Sequence, residues 1–220
     1  MHLLSPLLFC IYVKCIEKIP PIPKNNIILT CRKYHNITLS IYSGFSFLSI
    51  LIITYNNGKF NSMNDLLCKP YEESYFTTFI FQLFLYSKYF EWGDTLYLHL
   101  GGKKISNLQY THHMSTAFLA YVGSRNFINP CGSLPMTVNT LVHTPMYWYF
   151  AYPKGVLQPY KKLITQIQIV QHIMCLYCII YLMINKNDTT CIQNTYSCEI
   201  GLSLYTMYLF FFLSFYLFKY

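Results

Sequence analysis

Four short polar clusters interrupt segments of this chain that otherwise carry almost no charge. Within each cluster, polar or ionisable side chains recur three or four positions apart, which places them on one face of a helix. Such groups are costly at membrane depth, and within a membrane span they usually mark a functional site. Their succession therefore predicts one enclosed intramembrane site. The clusters occupy residues 88–95, 109–113, 139–147 and 165–171.

The first cluster can form an ion pair, because Lys88 and Glu91 are one helical turn apart. Thr95 continues the same stripe, and Asp94 either joins the pair or caps the helix end beside the following turn. A pair that faces the interior of a helix bundle makes such charges tolerable in a membrane. Two interpretations stay open: a polar framework of the site, or a buried salt bridge that joins two helices.

The second and third clusters contain imidazoles on two neighbouring predicted spans. His112 and His113 follow Gln109 at positions i+3 and i+4, and His143 follows Asn139 at i+4. A neutral imidazole is a nucleophile and a general base near physiological pH. A lone histidine is usually a core residue, but three histidines on two adjacent spans favour catalysis.

The fourth cluster is an amide stripe, in which Thr165, Gln168 and Gln171 recur every three residues and His172 follows. These amides can orient imidazoles or bind a polar carrier. They can equally form hydrogen bonds between helices. The residues alone leave both roles open.

A metal centre fits the histidines poorly. The chain has seven in total, and His2 is terminal, His35 lies in a predicted loop and His99 lies outside the clusters. The remaining histidines are too few for the histidine-rich di-iron site of membrane desaturases and hydroxylases. We predict neither a metal nor a resident cofactor.

The elements that must position these clusters are membrane helices. Hydrophobic residues make up 54% of the chain and charged residues 11%, whereas a soluble domain carries about 25% charged residues. A helix needs about 20 apolar residues to cross a bilayer. The sequence predicts one polytopic domain over residues 1–220, all-α and integral to the membrane. Its approximate spans are 36–55, 75–100, 106–124, 134–151, 163–184 and 199–218, with a partial span at 1–16.

The N-terminal segment is apolar only as far as Lys14, which is short for a span. It lacks the basic start and small-residue cleavage site of a signal peptide. We interpret it as a short or truncated first span, with an interfacial helix as the alternative.

Basic residues predict the orientation of the spans. Most of the sixteen Lys and Arg residues fall in loops on one side, which is therefore cytosolic and includes the C-terminus. The net charge of +8 then lies beside anionic headgroups, and no nucleic-acid-binding motif is present. Asn187-Asp-Thr189 matches a glycosylation sequon on the opposite side.

In order and spacing, the four clusters resemble the signature boxes of the very-long-chain fatty acid elongase (ELO) family, from roughly residue 36 to the C-terminus. The resemblance implies a seven-helix bundle in the endoplasmic reticulum membrane, with six helices forming a barrel around an acyl tunnel. It also implies condensation of acyl-CoA with malonyl-CoA to 3-oxoacyl-CoA, carbon dioxide and CoA. Other enzymes of the elongation cycle are the implied partners, and a homo-oligomer is compatible with it.

The resemblance assigns roles to individual residues. His112 looks like the nucleophile that forms an acyl-imidazole, His113 completes its box, and His143 assists decarboxylation of malonyl-CoA and stabilises the enolate. The resemblance also implies a lumenal disulfide between Cys68 and Cys191, with Cys198 as the alternative partner. The residues that resemble the family's site framework are Lys88, Glu91, Asp94, Gln109, Asn139, Tyr147, Gln168 and Gln171. The candidates to bind the phosphates of CoA are Lys103, Lys104, Lys161 and Lys162.

Two positions depart from the family pattern: Gln109 stands where a histidine is usual, and Phe150 where a tyrosine is usual. An amide still donates and accepts hydrogen bonds, but it does not transfer a proton. The alternatives to an elongase are a non-enzymatic multi-span transporter or receptor and a metal-dependent acyl-chain oxidase. Acyl length and saturation depend on where a bulky side chain closes the lumenal end of the tunnel, which the pattern does not specify.

Overall fold

The computed structural model describes residues 2–124, 130–185, 191 and 195–220. Within these ranges the regular structure is entirely helical, with short 3₁₀ turns at His2–Leu4 and Gln158–Tyr160. The predicted all-α class is confirmed. The helices are α1 (Ser5–Ile16), α2 (Asn26–Asn56), α3 (Met63–Cys68), α4 (Tyr75–Phe90), α5 (Trp92–Leu100), α6 (Asn107–Ser124), α7 (Pro130–Ala151), α8 (Lys161–Ile184) and α9 (Thr195–Lys219).

Six of these helices close a ring. α2 packs against α7, α7 against α8, α8 against α9, α9 against α6, α6 against α4, and α4 returns to α2. α5 continues from α4 and contacts α2 and α6, whereas α1 packs outside the ring against α5 and α6. The polar clusters lie on α4, α5, α6, α7 and α8, so the ring brings them around one interior.

The distribution of side chains on α2 is the reverse of that on a helix of a soluble protein, because apolar residues are exposed and polar residues are buried. Ile41, Phe45, Leu48 and Ile52 are each at least half exposed, whereas serines at positions 40, 43, 46 and 49 are buried. Small residues at the interface and apolar residues outside are typical of helices packed within lipid. α2, Gln158–Ile184 and Tyr196–Lys219 are long and apolar enough to cross a membrane. The chain is a multi-pass membrane protein.

The structure corrects the predicted start of the second span. α2 begins at Asn26 rather than near residue 36, and the Asn25 side chain accepts hydrogen bonds from the backbone of Ile27 and Ile28. Residues 26–35, interpreted as a loop, are therefore helical, and His35 is a buried helical residue. The error arose from ending the span at Arg32 and Lys33, whose long side chains can reach the interface from within a helix.

The predicted span 75–100 is two helices that meet at Glu91. Asp94 donates its backbone N–H to the Glu91 carbonyl at 3.0 Å, a three-residue turn tighter than an α-helix. Just beyond the turn, a Cβ on Gly93 would lie 2.7 Å from His35 Cε1. The absence of a side chain at Gly93 therefore lets α5 approach α2 closely.

At the opposite end of the ring, a disulfide joins Cys68, at the end of α3, to Cys191, which lies between α8 and α9. Cys178 and Cys198 belong to the same buried cluster as the disulfide. The bond ties two segments 123 positions apart, and it fixes this end of the bundle. The sequon at Asn187 lies outside the described residues.

Candidate active site

A closed polar network joins the α4–α5 turn to α7. Lys88 Nζ donates to Glu91 Oε1 at 2.8 Å and to Asn139 Oδ1 at 2.7 Å. His143 Nε2 lies 3.0 Å from Asn139 Nδ2, and His143 Nδ1 lies 3.5 Å from Glu91 Oε1. Lys88, Glu91 and His143 are buried. Lys88 and Glu91 thus form a buried salt bridge within one turn at the end of α4, and Asn139 and His143 connect this pair to α7.

The network determines which nitrogen of His143 carries the proton. Asn139 Oδ1 accepts from Lys88, so the amide nitrogen of Asn139 is the atom turned toward His143. His143 Nε2 therefore accepts this hydrogen bond, and the ring proton lies on Nδ1, facing the Glu91 carboxylate. A buried carboxylate on one ring nitrogen holds the imidazole in one orientation and one tautomer.

Asp94 forms a second connection between helices. Its Oδ2 accepts a 2.9 Å hydrogen bond from the Tyr147 hydroxyl on α7, and its Oδ1 lies 3.1 Å from His35 Nε2 on α2. Sequence reasoning had placed Asp94 with Lys88 and Glu91 or at a helix end, and it missed His35. The signal for His35 was the buried serine stripe of α2, which extends to His35 and Asn36 at helical spacing.

Two cavities lie within the ring. The outer cavity is bordered on one side by Glu91, Asp94 and His143, and the inner cavity extends to Phe81, Leu119, Met136 and Ile179. Three residues line both cavities and form the neck between them: His112, Gln171 and His172. The remaining predicted framework residues also line the cavities: Gln109, His113, Tyr147 and Gln168 the outer one, and Lys88 and Asn139 the inner one.

His112 is the accessible member of the histidine pair. Its ring contacts Tyr208 at a centroid distance of 5.1 Å, and it makes no hydrogen bond to the described residues. Tyr208 is held in place by a 2.7 Å hydrogen bond between its hydroxyl and Ser115 Oγ. His113 is buried, and its ring lies parallel to Phe9 at 6.3 Å. An unbonded, half-buried imidazole at a cavity junction has the position of a nucleophile.

The four lysines predicted to meet phosphates lie close in sequence to residues that line the outer cavity. Lys103 and Lys104 lie three and two positions before Ser106, which lines that cavity, and Lys161 and Lys162 begin α8 two turns before Gln168. All four side chains are exposed. None of them is in an ion pair within the described ranges. They are free to attract an anionic group to the mouth.

The described residues hold no group of three or more His, Cys, Asp or Glu side chains arranged to bind a metal ion.

His172 is the second residue, after His35, that sequence reasoning left out of the site. It follows the amide stripe at i+7 from Thr165, but its position on the neck depends on the arrangement of α6, α8 and α9.

Comparison with known proteins identifies relatives of this chain. Fatty acid elongase A of Dictyostelium discoideum is 30% identical over 142 residues, covering 64% of this chain and 52% of the relative. Putative fatty acid elongase 2 of Schizosaccharomyces pombe is 34% identical over 148 residues, covering 63% and 38% respectively. Fatty acid elongase 1 of Trypanosoma cruzi is 29% identical over 190 residues, covering 80% and 64%.

The chain thus spans between 38% and 64% of the length of these curated relatives. Residues 3–220, nearly the whole chain, match the model of the family described as ELO, the GNS1/SUR4 family. The chain belongs to the ELO family.

Proposed function

We propose that the chain is a fatty acid elongase that condenses an acyl-CoA with malonyl-CoA to give a 3-oxoacyl-CoA, carbon dioxide and CoA. The observation that carries the proposal is that two cavities meet at His112, one bordered by the carboxylates of Glu91 and Asp94 and the other extending to apolar side chains such as Leu119 and Ile179. An acyl thioester has the same division, because its carbonyl joins a hydrocarbon chain to a polar carrier. The chain then lies in the inner cavity, CoA lies at the mouth, and the carbonyl lies beside His112.

The first step is acyl transfer to His112. The lone pair of its unprotonated ring nitrogen attacks the thioester carbonyl carbon, a C–N bond forms, and the C–S bond breaks. The imidazole loses its other ring proton, and CoA leaves as the thiol. A covalent acyl-enzyme divides one difficult condensation into two easier steps.

The second step is carbon–carbon bond formation. Malonyl-CoA loses carbon dioxide, and the electron pair of the broken C–C bond forms an enolate that attacks the acyl carbon. The C–N bond breaks and the released His112 takes up a proton. His143, oriented by Glu91, accepts one N–H of the Asn139 amide, whose oxygen accepts from Lys88. The second N–H of this fixed amide is a preorganised donor, and donors of this kind stabilise enolate charge in a dry site.

The exposed lysines support an orientation with the outer cavity toward the cytosol, where CoA esters and basic loops are found together. α9 runs from the inner cavity at Ser197 to the outer cavity at Phe215, so its C-terminal end lies at the same face. We place this face, with Lys103, Lys104, Lys161 and Lys162, on the cytosolic side of the endoplasmic reticulum membrane.

The proposed reaction needs no resident metal or cofactor, because the thioester supplies the electrophile and decarboxylation supplies the carbanion. The product keeps its CoA and gains a ketone. We propose that enzymes that reduce and dehydrate 3-oxoacyl-CoA act next in the same membrane, and a homo-oligomer of this chain remains part of the proposal.

The test is elongation of a series of saturated acyl-CoAs with labelled malonyl-CoA by membranes from an elongase-deficient host expressing the chain. We expect labelled 3-oxoacyl products with the native chain and background levels with His112→Ala. The matched control is His99→Ala, because His99 lies outside both cavities and bonds to the Ile19 carbonyl. Normal extension by His112→Ala would disprove the covalent mechanism.

Absence of extension by the folded native chain with every acyl-CoA would contradict the elongase proposal as a whole. Flux of a lipid or CoA ester that is indifferent to His112 and His143 would instead support a transporter.

A further inference from the structure

A second imidazole, that of His172, lies with His112 at the neck between the two cavities. The side chain is only 2% exposed, and its Nδ1 is buried without a hydrogen bond. Leaving a buried polar atom unpaired costs about 1–3 kcal/mol, so such an atom in a native structure requires an explanation. A packing role alone would be filled better by an apolar ring, and the position on the neck points to a ligand.

His172 and His112 share their surroundings although they come from different helices. The His172 ring lies 4.8 Å from the Phe212 ring and 5.7 Å from that of Tyr208. The His112 ring lies 6.2 Å and 5.1 Å from the same two rings. Since both imidazoles also line both cavities, a group that passes through the neck meets the two together.

We propose that His172 is a catalytic residue that donates a hydrogen bond to the carbonyl oxygen of the bound acyl thioester. The inference rests on the function proposed above. When the His112 nitrogen attacks the carbonyl carbon, the electron pair of the C=O bond moves onto oxygen, and the His172 N–H stabilises the negative charge. The pair returns as the C–S bond breaks, and the sulfur takes the proton lost by the His112 ring, so that CoA leaves as the thiol. His172 keeps its proton throughout, so the atoms and charges of the step are otherwise those given above.

Kinetics separate this role from packing. His172→Phe keeps a ring of similar size and removes the donor, whereas His172→Gln keeps an N–H donor. Loss of one oxyanion donor typically costs about 10²–10³ in kcat. We expect a reduction of kcat of that size for the Phe variant and partial rescue of kcat for the Gln variant. The KM for malonyl-CoA should change much less than kcat in both variants. His99→Phe and His99→Gln are the matched controls outside both cavities.

The acylation half-reaction locates the effect. With acyl-CoA alone, the first turnover of CoA release should slow in His172→Phe by the same factor as kcat. A rate within about twofold of the native chain, in a variant that folds, would overturn the proposal.

Chemical protection tests His172 without turnover, and so distinguishes its failure from failure of the elongase proposal. Diethyl pyrocarbonate modifies imidazoles, and the modified residues are identified by mass spectrometry. We expect palmitoyl-CoA to protect both His112 and His172 and to leave His99 unprotected. Protection of His112 without His172 would overturn the assignment, whether or not malonyl-CoA is consumed.

Discussion

The Tyr147 hydroxyl on α7 lies 2.9 Å from Asp94 Oδ2 on α5, although the two residues are 53 positions apart in the sequence. The same carboxylate reaches His35 on α2. Three helices thus meet at one carboxyl group beside the outer cavity. This arrangement makes Asp94 a positioning residue for the mouth of the site, acting through Tyr147 and His35.

Removal of the Tyr147 hydroxyl tests this connection. A hydrogen bond to a charged group contributes about 1.5–3 kcal/mol, so Tyr147→Phe should lower the free energy of unfolding by that amount and reduce elongation. The measurements are thermal unfolding in detergent and product formation. Tyr149→Phe is the matched control, because Tyr149 lines neither cavity. Equal effects of the two substitutions would contradict the role given to Tyr147.

The buried pair of Lys88 and Glu91 should depend on both partners. Removing one partner leaves an uncompensated buried charge, which costs about 3–5 kcal/mol. We therefore expect Lys88→Met and Glu91→Gln each to destabilise the protein strongly. The double variant should be less destabilised than the sum of the two, and a double-mutant cycle on unfolding measures the difference. Strict additivity would show that the two side chains are not coupled.

A pH-dependent stability is expected from Lys59, in the segment between α2 and α3. This side chain is fully buried, its Nζ donates to the Lys69 carbonyl, and it lies 4.3 Å from the Tyr71 ring centroid. Burial, and secondarily the charge of Lys69, lowers the pKa of Lys59 from 10.5 to about 8. Between these two values the unfolded chain binds more protons than the folded one, so stability should rise as the pH rises from about 8 to 10.5.

The Lys59 contribution is measured as the difference between the native chain and Lys59→Met in thermal unfolding across this pH range. Other groups titrate in both proteins and cancel in the difference. A difference that is flat, or that falls with rising pH, would show that the folded pKa of Lys59 is not lowered.

The sequence predicted contacts within one helical turn better than contacts between distant helices. Lys88 and Glu91, or Asn139 and His143, are neighbours on one helix turn, so helical spacing alone brings each pair together. His35 and Asp94 are 59 positions apart, and no local pattern records that contact. The same reason explains why the sequence predicted neither the place of His172 in the site nor the burial of Lys59. The burial of both side chains depends on segments that are distant in sequence.

Helix ends were predicted least well, again for a physical reason. A rule that ends a span at the first charge predicts residues 106–124 for the fourth span, and α6 begins at Asn107. For α2 the rule stops short, because the helix continues through Arg32 and Lys33, whose long side chains can reach an interface from within a helix. It also misses the break at Glu91, which follows from a local turn inside an apolar segment.

A side chain added at Gly201 should shorten the acyl chain that the inner cavity accepts, given the function proposed above. It lines the inner cavity, whose lining on α6 extends from His112 to Gly123, about 16 Å at the rise of an α-helix. A Cβ on Gly201 would lie 2.9 Å from Ile179 Cδ1, so even alanine requires Ile179 to shift. We expect Gly201→Ala to shift the product distribution toward shorter chains and Gly201→Leu to shift it further, measured by chromatography of the extended acids.

Gly44→Ala is the matched control, because a Cβ there meets Thr144 Cγ2 at an ordinary 3.6 Å, outside both cavities. Unchanged chain lengths in both Gly201 variants would show that the acyl chain does not reach this part of the cavity.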